Sequence, residues 1–149
     1  MKNLKDQLVK IILPLVGVGL LLGAFSTTMA GEAAHKIVIQ VSTDDARTQK
    51  IALNNAVNVQ KLYGMDNVAV EIVAYGPGLG ILTTKSKQAK RVKSLAMQNI
   101  KFSACGNTMA KIEKKTGKKP MLTEGVGTVK AGVARIMALQ EQGYAYLRP

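Results

Sequence analysis

Thiol, imidazole and acid are all scarce in this chain. It has one Cys, one His and no Trp, and its 9 Asp and Glu face 21 Lys and Arg. A single Cys cannot close an internal disulfide. One Cys and one His cannot furnish the four ligands of a structural zinc site, and nothing points to another metal centre or to a cofactor. A dithiol mechanism is excluded for want of a second thiol, and no clear base accompanies the first. That argues against a true turnover enzyme such as a thiol reductase or sulfurtransferase. Aromatics are few, two Phe and four Tyr, and no nucleic-acid-binding motif is present. The formal charge of +12 is therefore not read as a nucleic-acid footprint. The lysines and arginines of residues 85–93 and 111–119 are a solvated face that keeps the protein soluble, or a surface for anionic membranes or acidic partners.

What is present begins with a leader pattern. Lys2, Lys5 and Lys10 flank an apolar run over residues 11–25, and the small residues Thr28 and Ala30 follow. A basic start, an apolar centre and a small-residue site make a secretory signal peptide over residues 1–30, cleaved after Ala30. The alternative is an uncleaved N-terminal membrane anchor. The run is shorter than the roughly 20 residues a bilayer needs, and Pro14, Gly17, Gly19 and Gly23 weaken it as a helix. The expected location is the periplasm or another exported compartment. In that oxidising setting the lone Cys105 is a buried structural thiol, an intermolecular bridge or a reactive group.

Residues 31–149 read as one α/β domain. Residues 36–42 and 67–75 are β-branched, nearly continuous strand patterns, as expected of strands buried on both faces. Ser42 to Asp45 offer capping oxygens for a helix over 45–63, in which Ala52, Ala56, Val59 and Tyr63 recur at helical spacing. A glycine-rich loop, residues 76–80, leads into a helix expected over most of 81–99. A third strand ends at Cys105. A basic helix covers 108–116, residues 121–129 are ambiguous but β-like at their end, a helix covers 131–142, and 144–147 is a last short strand. Strands and helices alternate, with short connections and no internal repeat. That order predicts a parallel sheet with helices on both faces.

Ligands of such sheets gather beyond the carboxyl ends of the strands. Residues 42–45, 76–80, 105–108 and 129–132 should share that rim. Cys105 is the candidate reactive residue, at a strand end where the N–H groups of a helix start favour a thiolate. Gly76, Gly78, Gly80, Gly106, Asn107 and Thr108 are the candidate ligand rim. The glycine loop is neither a dinucleotide fingerprint, since its third glycine comes one residue early, nor a Walker A sequence. It equally suits a tight strand-to-helix turn. His35 is distant in sequence from Cys105. Glu71 and Glu124 are buried or rim carboxylates, or else solvated or salt-bridged ones.

Four stretches carry a family likeness: Phe102-Ser-Ala-Cys105-Gly-Asn-Thr-Met109, the loop from Tyr75 to Gly78, Gly132-Val-Ala-Arg135, and the ending from Leu139 to Pro149. Over about residues 36–149 the chain resembles the DsrE/DsrF-like proteins, in particular their small exported branch. The resemblance implies a three-layer α/β/α fold with a mostly parallel five-stranded sheet, flavodoxin-like in general layout. It also implies assembly into homotrimers or larger rings. Cytoplasmic relatives carry sulfur as a persulfide on a cysteine, and Cys105 matches that cysteine position. The leader separates this chain from their relay partners. The resulting expectation is an exported persulfide carrier, rather than a turnover enzyme, that exchanges sulfur with donor and acceptor proteins. The alternative is a non-catalytic small-ligand-binding or scaffold protein with a structural Cys105.

Overall fold

A computed structural model describes residues 33–149. The leader expected over residues 1–30 lies outside the described residues. Five strands form one sheet: β1 (His35–Val41), β2 (Val68–Ala74), β3 (Ile100–Cys105), β4 (Val126–Val129) and β5 (Ala145–Leu147). Four α-helices connect them: α1 (Ala46–Tyr63), α2 (Ala89–Ala96), α3 (Gly106–Thr116) and α4 (Gly132–Glu141). Every pairing is parallel, and the strand order is β4-β3-β2-β1-β5.

That order explains which helix covers which face. From β1 to β2 to β3 to β4 the chain steps one way across the sheet. A right-handed crossover at each step puts α1, α2 and α3 on one side. From β4 the chain returns over the whole sheet to pair β5 with β1, so the same handedness puts α4 on the other side. The cores agree. Ile39, Ile72 and Phe102 pack with Leu53 of α1, Val92 and Leu95 of α2 and Met109 of α3. Val38 and Val73, their neighbours in sequence, pack with Ile136 and Leu139 of α4. Successive strand residues point to opposite faces, so the β-branched runs fill both. The result is a three-layer, flavodoxin-like α/β arrangement. Burying each large aliphatic side chain stabilises it by about 1.5–3 kcal/mol.

The helix expected over most of residues 81–99 is confined to Ala89–Ala96. Gly76–Leu82 winds instead as a 3-10 helix with Pro77 in its first turn, and Leu79, Ile81 and Leu82 are fully buried. The chain beyond is drawn into backbone pairing with the segment before β4. Thr84 N–H donates to Met121 O at 3.0 Å, and Thr123 N–H donates to Leu82 O at 2.8 Å. Thr83 and Leu122 form an antiparallel bridge. Those bonds occupy groups that a continuing helix would need, so α2 begins only at Ala89. Among the described residues, no helix is long and apolar enough to cross a membrane.

Candidate functional site

α3 follows β3 on one face of the sheet and α4 follows β4 on the other, so both helices start at the carboxyl edge that these two adjacent strands share. Cys105 is the last residue of β3 and the N-cap of α3, with φ −72° and ψ 115°. Gly132, the first residue of α4, approaches it from β4. Its N–H donates to Cys105 Sγ at 3.2 Å. The approach is tight, because a Cβ on residue 132 would lie 3.0 Å from Tyr75 Cδ1 and 3.3 Å from Cys105 Cβ.

The thiol is 5% exposed. Burial pushes its pKa up. Hydrogen bonds from the Thr108 hydroxyl and from the N–H groups of Gly132, Thr108 and Asn107 outweigh that and hold it below the ordinary thiol value. Asn107 and Thr108 supply N–H groups that the first turn of α3 leaves without intrahelical partners. Thr108 is placed for its task, since its Oγ1 accepts the Gly76 N–H at 3.0 Å. With the oxygen so occupied, the hydroxyl proton is free to turn to sulfur.

The rim candidates divide. Gly76 and Thr108 meet each other, and Thr108 and Asn107 meet the sulfur. Asn107 also ties α3 to the β4–α4 connection, its N–H donating to Lys130 O at 3.2 Å. Gly106 lies under the same connection, where a Cβ would come within 3.1 Å of Val129 O. Gly78 is buried against β1, and a Cβ there would fall 2.3 Å from Val41 O. Its bareness is used by the protein's own backbone. Gly80 is exposed, with open space where a Cβ would stand.

His35 starts β1, at the amino end of the sheet, and stacks on Tyr63 with ring centroids 3.8 Å apart. It is at the opposite end from Cys105. Glu124 is exposed and pairs with Lys93. Glu71 is both buried, at 1% exposure, and ion-paired. Its carboxylate accepts Ser103 Oγ at 2.6 Å, Arg135 Nε at 2.8 Å and Arg135 Nη2 at 2.7 Å. Lys101 Nζ stands 3.7 Å away. Burial pushes the Glu71 pKa up, but the bonds and charges of Arg135, Ser103 and Lys101 bring it below the usual carboxylate value. Arg135 lies one turn after Gly132 on α4. The fork between Arg135 and Glu71 therefore pins α4 to β2, one turn from where Gly132 meets the thiol. The sequence separations, 64 residues for Arg135–Glu71 and 27 for Gly132–Cys105, leave no periodic signal for either contact.

No family model matches the chain, and no curated protein matches it. A solved structure, described as the protein of unknown function MTH1491 from Methanobacterium thermoautotrophicum, is similar with a TM-score of 0.69 and 30% identity. The likeness covers 77% of this chain and 99% of that one. With that identity over nearly the whole of the solved protein, the chain belongs to the same family as MTH1491.

Proposed function

We propose that this chain is a persulfide carrier of the DsrE/DsrF-like type and that Cys105 holds the travelling sulfur. One observation carries the reading. The Gly132 N–H of α4 donates to the Cys105 sulfur at 3.2 Å, and Thr108 and Asn107 of α3 help hold that thiol's pKa below its ordinary value. A thiolate or a persulfide anion needs such donors, and a neutral packed thiol does not. In the loading step the Cys105 thiolate attacks the outer sulfur of a donor such as thiosulfate. The new S–S bond forms as the donor's S–S bond breaks, and sulfite departs with the electron pair. Cys105 is left as Cys–S–S⁻. An acceptor thiolate then attacks the outer sulfur, takes it as its own persulfide, and returns Cys105 to thiolate. Export through the leader, exchange with donor and acceptor proteins, and assembly as a homotrimer or larger ring belong to the same reading.

The 5% exposure of Cys105 favours a second reading, a non-catalytic binding or scaffold protein with a structural thiol. Intact mass separates the two. After incubation with thiosulfate or polysulfide, the carrier gains about 32 Da, one sulfur, reversibly with reductant, and Cys105→Ser does not. No adduct in the wild type, together with slow alkylation of the folded protein, would establish the structural thiol.

A further inference from the structure

A depression of about 380 Å³ lies between the 3-10 helix and α3. Its apolar wall comes from Pro77 and Ile112, over the fully buried Leu79, and Lys111 and Lys115 stand on it one helical turn apart. Thr108, which helps lower the Cys105 pKa, is part of the same lining. A second depression of about 420 Å³ shares Thr83 and Ile112 with the first and adds Lys85, Lys118 and Lys119. Neither is lined by an Asp or Glu. Among the described residues, none of these five lysines pairs with a carboxylate.

Unneutralised cations around an apolar floor select for a particular chemistry. A small hydrated anion leaves the floor wet, and an uncharged apolar ligand leaves the lysines without partners. A pocket of roughly 300–1,000 Å³ suits a small organic molecule. We propose that this depression binds a small organic anion with an apolar body, its charge on Lys111 and Lys115 and its body against Pro77 and Ile112. Resting on the carrier reading above, an organic thiosulfonate, which carries the same transferable sulfur as thiosulfate on an apolar body and would leave as a sulfinate, is the donor of that class for Cys105, with its transferable sulfur at the Thr108 end. Part of the chain's large positive charge thereby acquires a local task.

The test uses 8-anilinonaphthalene-1-sulfonate as probe, titrated by fluorescence into the full chain. N-phenyl-1-naphthylamine carries the same rings without the sulfonate, and methanesulfonate carries the head without the rings. The sulfonated probe binds saturably, and Lys111→Gln/Lys115→Gln weakens it about tenfold, the scale of one lost charged hydrogen bond. Lys50→Gln/Lys90→Gln removes the same charge from exposed positions elsewhere and changes binding less than twofold. Three results would overturn the proposal: equal loss in both variants, equal affinity for the uncharged rings, or displacement by methanesulfonate at matched concentration. Cys105→Ser is expected to bind the probe as the wild type does. If probe binding is intact but no persulfide forms, the pocket stands and the carrier reading falls. If the persulfide forms but the probe does not bind, the reverse holds.

Discussion

The amide of Gly132 donates to the sulfur of Cys105 across 3.2 Å, joining the start of α4 to the end of β3. The contact is possible because the two helices that follow β3 and β4 leave the sheet on opposite sides. One turn further along α4, a part-buried fork has Arg135 gripping the buried Glu71 of β2. The thiol's environment is thus set by elements far apart in the chain, and substitutions at a distance from Cys105 should register at its sulfur.

Gly132→Ala tests the contact directly. The added Cβ must push against Tyr75 and against Cys105 itself. Overpacking of this kind costs about 1–3 kcal/mol, and α4 can escape it only by moving its first N–H away from sulfur. The thiol pKa should then rise. The pH dependence of iodoacetamide alkylation checks this, with a higher midpoint than wild type, while denaturant unfolding measures the stability loss.

Thr108 acts on the same sulfur by hydroxyl and by N–H, and its oxygen also accepts the Gly76 amide. Thr108→Val removes the hydroxyl and strands that amide, at a cost of about 1–3 kcal/mol. A depressed thiol pKa means that the folded chain favours the thiolate. Its contribution to stability is full above the ordinary value of 9.0 and is lost as pH falls through the lowered value. In Thr108→Val the alkylation midpoint should move up toward 9.0. Thr108→Ser keeps the hydroxyl and should leave the midpoint near that of wild type.

The glycine loop offers a contrast between neighbours. Gly78→Ala places a Cβ 2.3 Å from Val41 O, a backbone atom that cannot swing aside. Roughly 3 kcal/mol or more should be lost, the upper end of overpacking costs. Gly80→Ala meets nothing within 4 Å and should stay within about 0.5 kcal/mol of wild type. Paired urea melts of the two variants check this. Equal, small effects would show that the loop is not packed under β1.

These residues show what a linear reading can and cannot reach. The alternation of strand and helix was legible because β-branched runs such as Val68 to Val73 have no other use than a strand covered on both sides. The placement of Cys105 was legible because Gly106 and Thr108 begin a helix where the strand pattern stops. The start of the helix expected over most of 81–99 was misplaced because the apolar pattern of Ile81 and Leu82 is the same whether a 3-10 turn or an α-helix buries them. Pairing of Thr83 and Thr84 with residues 121–122, which decides between the two, is non-local. Glu71 was seen as a lone charge in a strand, with burial and pairing both open. Only the return of α4 over the second face supplies Arg135 and resolves it.

The fork itself gives the sharpest expectation. Glu71 is fully enclosed, so removing its partner leaves a charge with Ser103 and a more distant Lys101 alone. Arg135→Met should cost about 3–5 kcal/mol, whereas replacing both members, Glu71→Leu/Arg135→Met, should cost much less. The pH dependence follows from the lowered Glu71 pKa. Its contribution is fully present above the ordinary value of 4.5 and is lost as pH falls through the depressed folded value. Glu71→Gln should therefore be less stable than wild type at neutral pH, and its stability should fall less steeply below pH 4.5. Arg135→Met should behave in the opposite way to wild type, because burial without its main partner raises the carboxyl's pKa above its unfolded value, so this group destabilises the fold at neutral pH and that penalty is relieved as pH falls through the raised value. Urea midpoints at a series of pH values from 3 to 7 distinguish the three curves. Alkylation of Cys105 in Arg135→Met adds a readout that a purely structural pair would not move. A raised thiol midpoint would show that the fork holds Gly132 against the sulfur, and an unchanged midpoint would show that α4 keeps its place by packing alone.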